Sequence, residues 1–136
     1  MLQPKKMKYR KWQKGRSLER MFSTKGTELS FGQAGLRSLD FYQLTDRQID
    51  SVVKEMKRVL GKKGRVWLRV FPHKPVTKKP PEVRMGGGKG DLDHYVSVIE
   101  PGKMVVEVES RDHDLALRSL KAASYKLPIK TKLVLK

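Results

Sequence analysis

The stretch Val83–Gly90, Val-Arg-Met-Gly-Gly-Gly-Lys-Gly, sets two long cations among four glycines. Such a run holds neither helix nor strand. It permits positive φ at an entropic cost and leaves few side chains to obstruct a close approach. Backbone amides, a planar guanidinium at Arg84 and a point charge at Lys89 suit phosphate oxygens. Two chemistries use such a loop: nucleotide binding for catalysis, or a grip on a nucleic-acid backbone. The catalytic option fails on residues. A P-loop needs glycine where Val83 stands and a metal-binding hydroxyl where Gly90 stands. No strongly apolar strand leads straight into the run, and no helix is expected to start after it.

No other catalytic constellation is visible. His73, His94 and His113 lie about 20 residues apart, without the close spacing of a helical or hairpin metal site. Asp91, Asp93 and His94 read as a surface turn. Nothing places a nucleophile beside a base and an orienting acid. With no cysteine, disulfides and thiolate metal sites are ruled out, and an intracellular setting is allowed. The expectation is a protein that is not an enzyme and needs no cofactor or metal.

Charge distribution points to the second chemistry. The chain carries 31 Lys and Arg against 14 acids, a net +17 in 136 residues. Residues 1–26 hold nine basic residues and one acid, and residues 62–90 again nine and one. The other two segments are close to balanced, at five against five over 27–61 and eight against seven over 91–136. A merely solubilising surface would scatter this excess. Concentrated in two segments, it is the footprint of a polyanion, and with the glycine loop it suits a nucleic acid. No apolar stretch approaches the roughly 20 residues needed to span a bilayer, so no membrane partner is expected. The cation-rich start lacks a following apolar region and reads as a retained arm.

Elements must position these cations. One domain with a modest core is the simplest organisation for this length: a basic arm over 1–26 and an α+β domain over 27–136, with an RNA-contacting loop at 72–90. The arm, with Tyr9, Trp12 and Phe22 among its cations, is expected to be extended or disordered until it meets its partner. Its aromatics would stack on bases or anchor the arm to the domain. Leu29–Phe31 and Leu36–Leu39 are strand candidates. Thr45 and Gln48 make a capping box before an apolar stripe of Ile49, Val52, Val53, Met56, Val59 and Leu60, with Gly61 as the stop. Arg65–Phe71 reads as a two-faced strand. Val66, Leu68 and Val70 face the core, while Arg65, Trp67, Arg69 and Phe71 suit phosphate and stacking contacts. Alternatively, Trp67 and Phe71 cover a small second cluster while the arginines reach to water.

Pro72, Pro75, Pro80 and Pro81 are expected to keep the next stretch irregular, leading into the glycine run as one loop of about 20 residues. Tyr95–Ile99 and Met104–Glu109 flank Pro101-Gly102, the signature of a type II turn, and read as an antiparallel hairpin. A second helix is expected over about Asp112–Lys126 and a last strand over Ile129–Leu135. The sum is a mostly antiparallel sheet with both helices on one face.

Ordered matches run through nearly the whole chain. They include Met1–Lys5, Lys8–Lys11, Lys14–Arg16, Phe31-Gly32, Gly35-Leu36, Arg47–Ile49, Gly64–Pro72, Lys74–Thr77, Lys79-Pro80, Val83–Gly86, Gly88–Gly90 and Lys126–Thr131. In these the chain resembles the large-subunit ribosomal protein sixteen family of bacteria and organelles. The resemblance implies a structural protein that binds large-subunit ribosomal RNA near the peptidyl-transferase centre, helps position aminoacyl-site tRNA and joins the subunit late. Neighbouring ribosomal proteins are further partners, and no obligate homo-oligomer is implied. The location implied is a cytoplasmic ribosome, or alternatively an organellar one.

The RNA-contacting residues expected from charge map and resemblance together are Lys5, Lys6, Lys8, Arg10, Lys11, Lys14 and Arg16 in the arm. Arg65, Trp67, Arg69, Lys74, Lys78, Lys79, Arg84, Met85 and Lys89 follow in the central segment, and Lys130 and Lys132 near the end. Gly87 stands where the family commonly has a lysine or another polar residue, and His73 where it commonly has Asp. A free regulatory RNA-binding protein is the alternative, but neither helix concentrates the basic residues a groove reader needs.

Overall fold

The computed structural model describes residues 2–15 and 22–136. Nine elements run in the order β1 (Ala34–Ser38), β2 (Tyr42–Thr45), α1 (Asp46–Leu60), β3 (Gly64–Leu68), β4 (Lys74–Lys78), β5 (Asp91–Ile99), β6 (Met104–Ser110), α2 (His113–Ser124) and β7 (Thr131–Leu135). The strands form two antiparallel sheets, one of order β3-β6-β1-β7 and one of order β2-β5-β4. The α+β class is as the sequence indicates, divided between two sheets.

α1 begins where its capping box dictates. Thr45 N–H donates to Gln48 Oε1 at 2.9 Å, and Gln48 N–H donates back to Thr45 Oγ1 at 3.3 Å. At the other end Gly61 turns to φ 56° and donates its N–H to the Lys57 carbonyl at 2.9 Å. Ile49, Val52, Met56 and Leu60 then form one buried stripe. α1 packs on α2 and β3, and α2 on β6 and β1. Ala34, Leu36, Val106 and Val108 line the core beneath the helices, and Leu44 and Ile99 extend it to the second sheet. Val66 and Leu68 pack at its edge and Val70 inside it, so this face of the β3 segment is the core face.

Four expectations are corrected. Leu29–Phe31 is not a strand, because its amides turn inward to a carboxylate instead of entering a ladder. The Ser30 N–H lies 3.2 Å from both Glu107 oxygens, and Phe31 and Gly32 donate to Glu107 Oε2 at 2.7 and 2.8 Å. Tyr42–Thr45 is a strand that the helix cap beside it obscured. Lys74–Lys78 is also a strand despite Pro75: it is the edge of its sheet, where proline is tolerated. The irregular part of the expected 72–90 loop therefore narrows chiefly to 79–90.

The fourth correction is the hairpin. The Pro101-Gly102 turn forms, with Gly102 at φ 92° and Lys103 N–H donating to the Glu100 carbonyl at 3.2 Å. Its two strands nevertheless enter different sheets. The chain near Ser38 and Gly26 sits against the turn: Gly102 N–H donates to Ser38 O, Ser38 N–H to Lys103 O and Met104 N–H to Gly26 O, at 2.8, 2.9 and 2.8 Å. With β3 and β1 on the two sides of β6, no edge is left for β5.

Glu107 is fully buried in the middle of β6, and Arg69, just past the end of β3, pairs with it. Burial alone would raise its pKa. The amides of Gly32, Phe31 and Ser30, with Arg69, outweigh burial and hold the carboxyl below the ordinary glutamate range. Gly32 must be glycine for this clamp to close, since a Cβ there would stand 2.6 Å from the Val108 carbonyl oxygen. A depressed carboxylate pKa stabilises the fold fully above the ordinary value, and that contribution is lost as the pH falls through the folded value. Glu107→Gln is expected to cost about 2–3 kcal/mol at pH 7, as loss of hydrogen bonds to a charged group does. It should also flatten the loss of stability below about pH 4.3. Denaturant unfolding across pH 3–7 checks both; equal acid sensitivity of variant and parent would remove Glu107 as the titrating group.

Candidate nucleic-acid interface

The two basic segments of the sequence meet in space. Residues 2–15 have no helix or strand, yet they are tied to the domain at points along their length. Leu2 packs against the edge of the core, so the arm is not wholly free of buried contacts. Trp12 sets its ring edge-on to His73, with centroids 5.9 Å apart. Lys11 Nζ donates to the Lys89 carbonyl at 3.0 Å and lies 3.5 Å from the Asp91 carboxylate. In return Lys89 Nζ donates to the Trp12 carbonyl. Lys74, at the start of β4, donates to the Lys14 carbonyl at 2.9 Å. Arm, β4 and glycine loop are therefore one surface.

The electrostatics of this junction are unbalanced. Lys74 is only 6 % exposed, and its ammonium donates to a neutral carbonyl. Burial, then the nearby charges of Lys89 and Lys14, push its pKa below the ordinary ammonium range. Among the described residues, no carboxylate makes an ion pair with Lys14, Lys74 or Lys89. Such a cation cluster raises the energy of the free protein and favours a bound anion.

Beyond the junction the loop projects outward. Gly86, Gly87 and Gly88 take φ 101°, 67° and 99°, and a Cβ on any of them would meet nothing within 4 Å. The fold itself does not crowd these positions; glycine serves the backbone conformation and keeps the outer side bare. Lys79 Nζ braces the loop through the Gly86 carbonyl. Met85 is 96 % exposed, and Arg84 is exposed with no hydrogen bond or ion pair to another described residue.

The other expected residues divide. Lys5, Lys6, Lys8 and Arg10 are exposed along the arm, with Lys8 Nζ 5.5 Å from the Tyr9 ring centroid. Lys78 is exposed at the end of β4. Arg16 lies outside the described residues. Arg65 is exposed at the beginning of β3. Trp67 stacks on Phe31 at 6.2 Å and 19° between planes, and the Arg69 guanidinium sits 5.3 Å from the same ring while pairing with Glu107. Trp67 thus covers a small second cluster, and Arg69 is tied to it rather than reaching only to water. Phe31 is itself 61 % exposed, so this cluster still offers an aromatic face to a base. Lys130 and Lys132 are exposed near or on β7, three strands from β3, and among the described residues no hydrogen bond or ion pair ties them to the arm or loop. Phe31, Glu107 and His73 were not among the expected contact residues; only the Phe31-Gly32 match offered a signal for the first.

Comparison with known proteins decides the family. The model of the family described as ribosomal protein L16p/L10e matches residues 4–134. The chain belongs to the ribosomal protein L16p/L10e family. It is 51 % identical over 136 residues to the large ribosomal subunit protein uL16 of Karelsulcia muelleri (strain GWSS), covering all of this chain and 98 % of that protein. It is 47 % identical over 134 residues to the protein of the same name from Sulfurihydrogenibium sp. (strain YO3AOP1), covering 98 % of this chain and 96 % of that one. These L16p/L10e relatives are structural ribosomal proteins, not enzymes. The glycine loop, every cation of the two basic segments and the Glu107 clamp fall inside the matched span.

Lys74 generates a prediction with opposite signs for folding and function. A lowered lysine pKa means that the protonated form costs stability at neutral pH, a cost relieved as the pH rises through the lowered value. Lys74→Met is expected to raise the Tm of the free protein by a few degrees at pH 7, with the gain shrinking at alkaline pH. It should also reduce the salt slope of RNA binding by about 0.7–0.9. Paired thermal melts and filter-binding titrations check this; a lower Tm at pH 7 would show that the ammonium is a net structural contact.

Proposed function

We propose that this chain is a structural component of the large ribosomal subunit that grips ribosomal RNA through the arm–β4–glycine-loop surface. Membership in the L16p/L10e family supports the ribosomal role. The observation that carries the RNA grip is the convergence of Lys14, Lys74 and Lys89 with no acid among the described residues paired to any of them. A polyanion supplies the countercharge that the described residues do not. Phosphates would be held by the arm cations, Lys74, Lys79 and Lys89, which fix register without reading sequence. Arg84 and Met85 at the outer end of the loop, and Phe31 with Trp67, provide the groups suited to bases and riboses.

On this reading the bare glycines let the loop approach closely packed RNA, near the peptidyl-transferase centre, where it helps position aminoacyl-site tRNA. The family resemblance supports that placement and a late entry into the subunit. Neighbouring ribosomal proteins are the remaining partners.

The test is binding to large-subunit RNA across a salt series. Replacing Lys14, Lys74 and Lys89 together by Ala should reduce the log–log slope by roughly 2–3, at 0.7–0.9 per phosphate contact. Replacing Lys54 and Lys57 on α1 should leave it unchanged. Subunits rebuilt with Arg84→Ala and Lys89→Ala should bind aminoacyl-tRNA more weakly. An unchanged salt slope would overturn the RNA surface; unchanged tRNA binding would overturn the tRNA role alone.

A further inference from the structure

At the opposite edge of the four-stranded sheet from β3, β7 leaves a backbone edge with no strand beside it among the described residues. Its geometry is defined. Lys136 N–H donates to the Gln33 carbonyl and Leu39 N–H donates to the Lys130 carbonyl, both at 2.9 Å, so the even-numbered residues aim their backbone groups at β1. In an antiparallel ladder the alternate residues face the other way. The N–H and C=O groups of Thr131, Leu133 and Leu135 therefore point outward.

Their side chains line a groove as well. Thr131, Leu133 and Leu135 meet Leu36 and Leu117 in a mainly apolar cleft of about 440 Å³ between β7 and α2. Leu133 is 36 % exposed and Leu135 is 50 % exposed. The charged residues lining this cleft are Arg118 and Lys121; no acid does. One stretch of chain thus offers a row of unmet hydrogen-bonding groups, an apolar floor and a cationic rim.

We propose that this edge receives an extended peptide segment of a neighbouring protein, one in which apolar residues alternate with acidic ones. Such a segment would add a strand to β7, using the outward groups of Thr131, Leu133 and Leu135 for main-chain hydrogen bonds. Its apolar side chains would enter the cleft, and its acids would meet Arg118 and Lys121. A second copy of this chain fits poorly, because it would bring Lys130, Lys132 and Lys136 against the same cations. RNA carries no row of alternating amides and gains little from an apolar floor.

Hydrogen exchange read residue by residue tests this directly. In the free protein the amides of Leu133 and Leu135 should exchange rapidly, while those of Lys132 and Val134, bonded to β1, exchange slowly. In intact large subunits Leu133 and Leu135 should slow at least about a hundredfold, as ladder amides do on pairing. In a complex of the protein with ribosomal RNA alone they should stay fast. Because the chain has no cysteine, Leu135→Cys carrying a short photo-crosslinker identifies the occupant in the same subunits. The expected product is a protein segment of alternating apolar and acidic residues. Rapid exchange in the subunit, protection by RNA alone, or a crosslink to RNA or to a second copy would overturn the proposal.

Discussion

A single buried carboxylate holds together the parts of this molecule that would otherwise have no reason to meet. Glu107 lies in the middle of β6, accepts from three consecutive amides of the segment after the arm, and pairs with Arg69 beyond β3. A buried charge is costly unless it is fully satisfied. Here four donor groups converge on it, and satisfying it fixes the course of the chain on two sides. The Ser30–Gly32 segment is drawn across β6 on its way to β1. Arg69 is held over the Phe31 ring, beside the Trp67 stack.

From that fixed point the interface follows. The chain beyond Arg69 leads through His73 to β4, and these supply the seats for Trp12 and the Lys14 carbonyl. The sheet therefore holds the arm and the glycine loop side by side although the contacting Lys11 and Lys89 are 78 residues apart in sequence. Stability and function draw on different groups. The clamp is an internally satisfied charge, whereas in the Lys14–Lys74–Lys89 cluster Lys74 and Lys89 donate to neutral carbonyls and no carboxylate among the described residues pairs with any of the three. A molecule optimised only for its own stability would not bury Lys74 with no carboxylate among its described residues to pair with it.

The sequence makes the local features legible and hides the long-range ones. α1 could be read almost to the residue, because a capping box, an apolar stripe and a terminal glycine are all local signals. The two-faced character of residues 65–71 was equally visible. The hairpin failed because the Pro101-Gly102 turn specifies only its own geometry; whether the flanking strands pair depends on β1 and β3, far away in sequence. β4 was hidden by Pro75, which forbids a central strand but not an edge one. Of the interface, the cations and glycines were legible as composition and spacing. The roles of Glu107 and Phe31 were not, since an acid alternating with valines in a strand looks like an ordinary outward-facing residue.

The central claim is that arm and loop form one RNA-facing surface. Tethered hydroxyl-radical cleavage tests it most directly, and a chain without cysteine allows a clean single attachment point. An iron chelate would be attached to Gln13→Cys in the arm, to Met85→Cys in the loop, and to Lys54→Cys on α1 as a control. Each protein would be assembled into large subunits and the ribosomal RNA cuts mapped. The account predicts overlapping cuts from Gln13→Cys and Met85→Cys, and a different, weaker pattern from Lys54→Cys. Cuts from arm and loop at unrelated sites, or none from Met85→Cys, would contradict it.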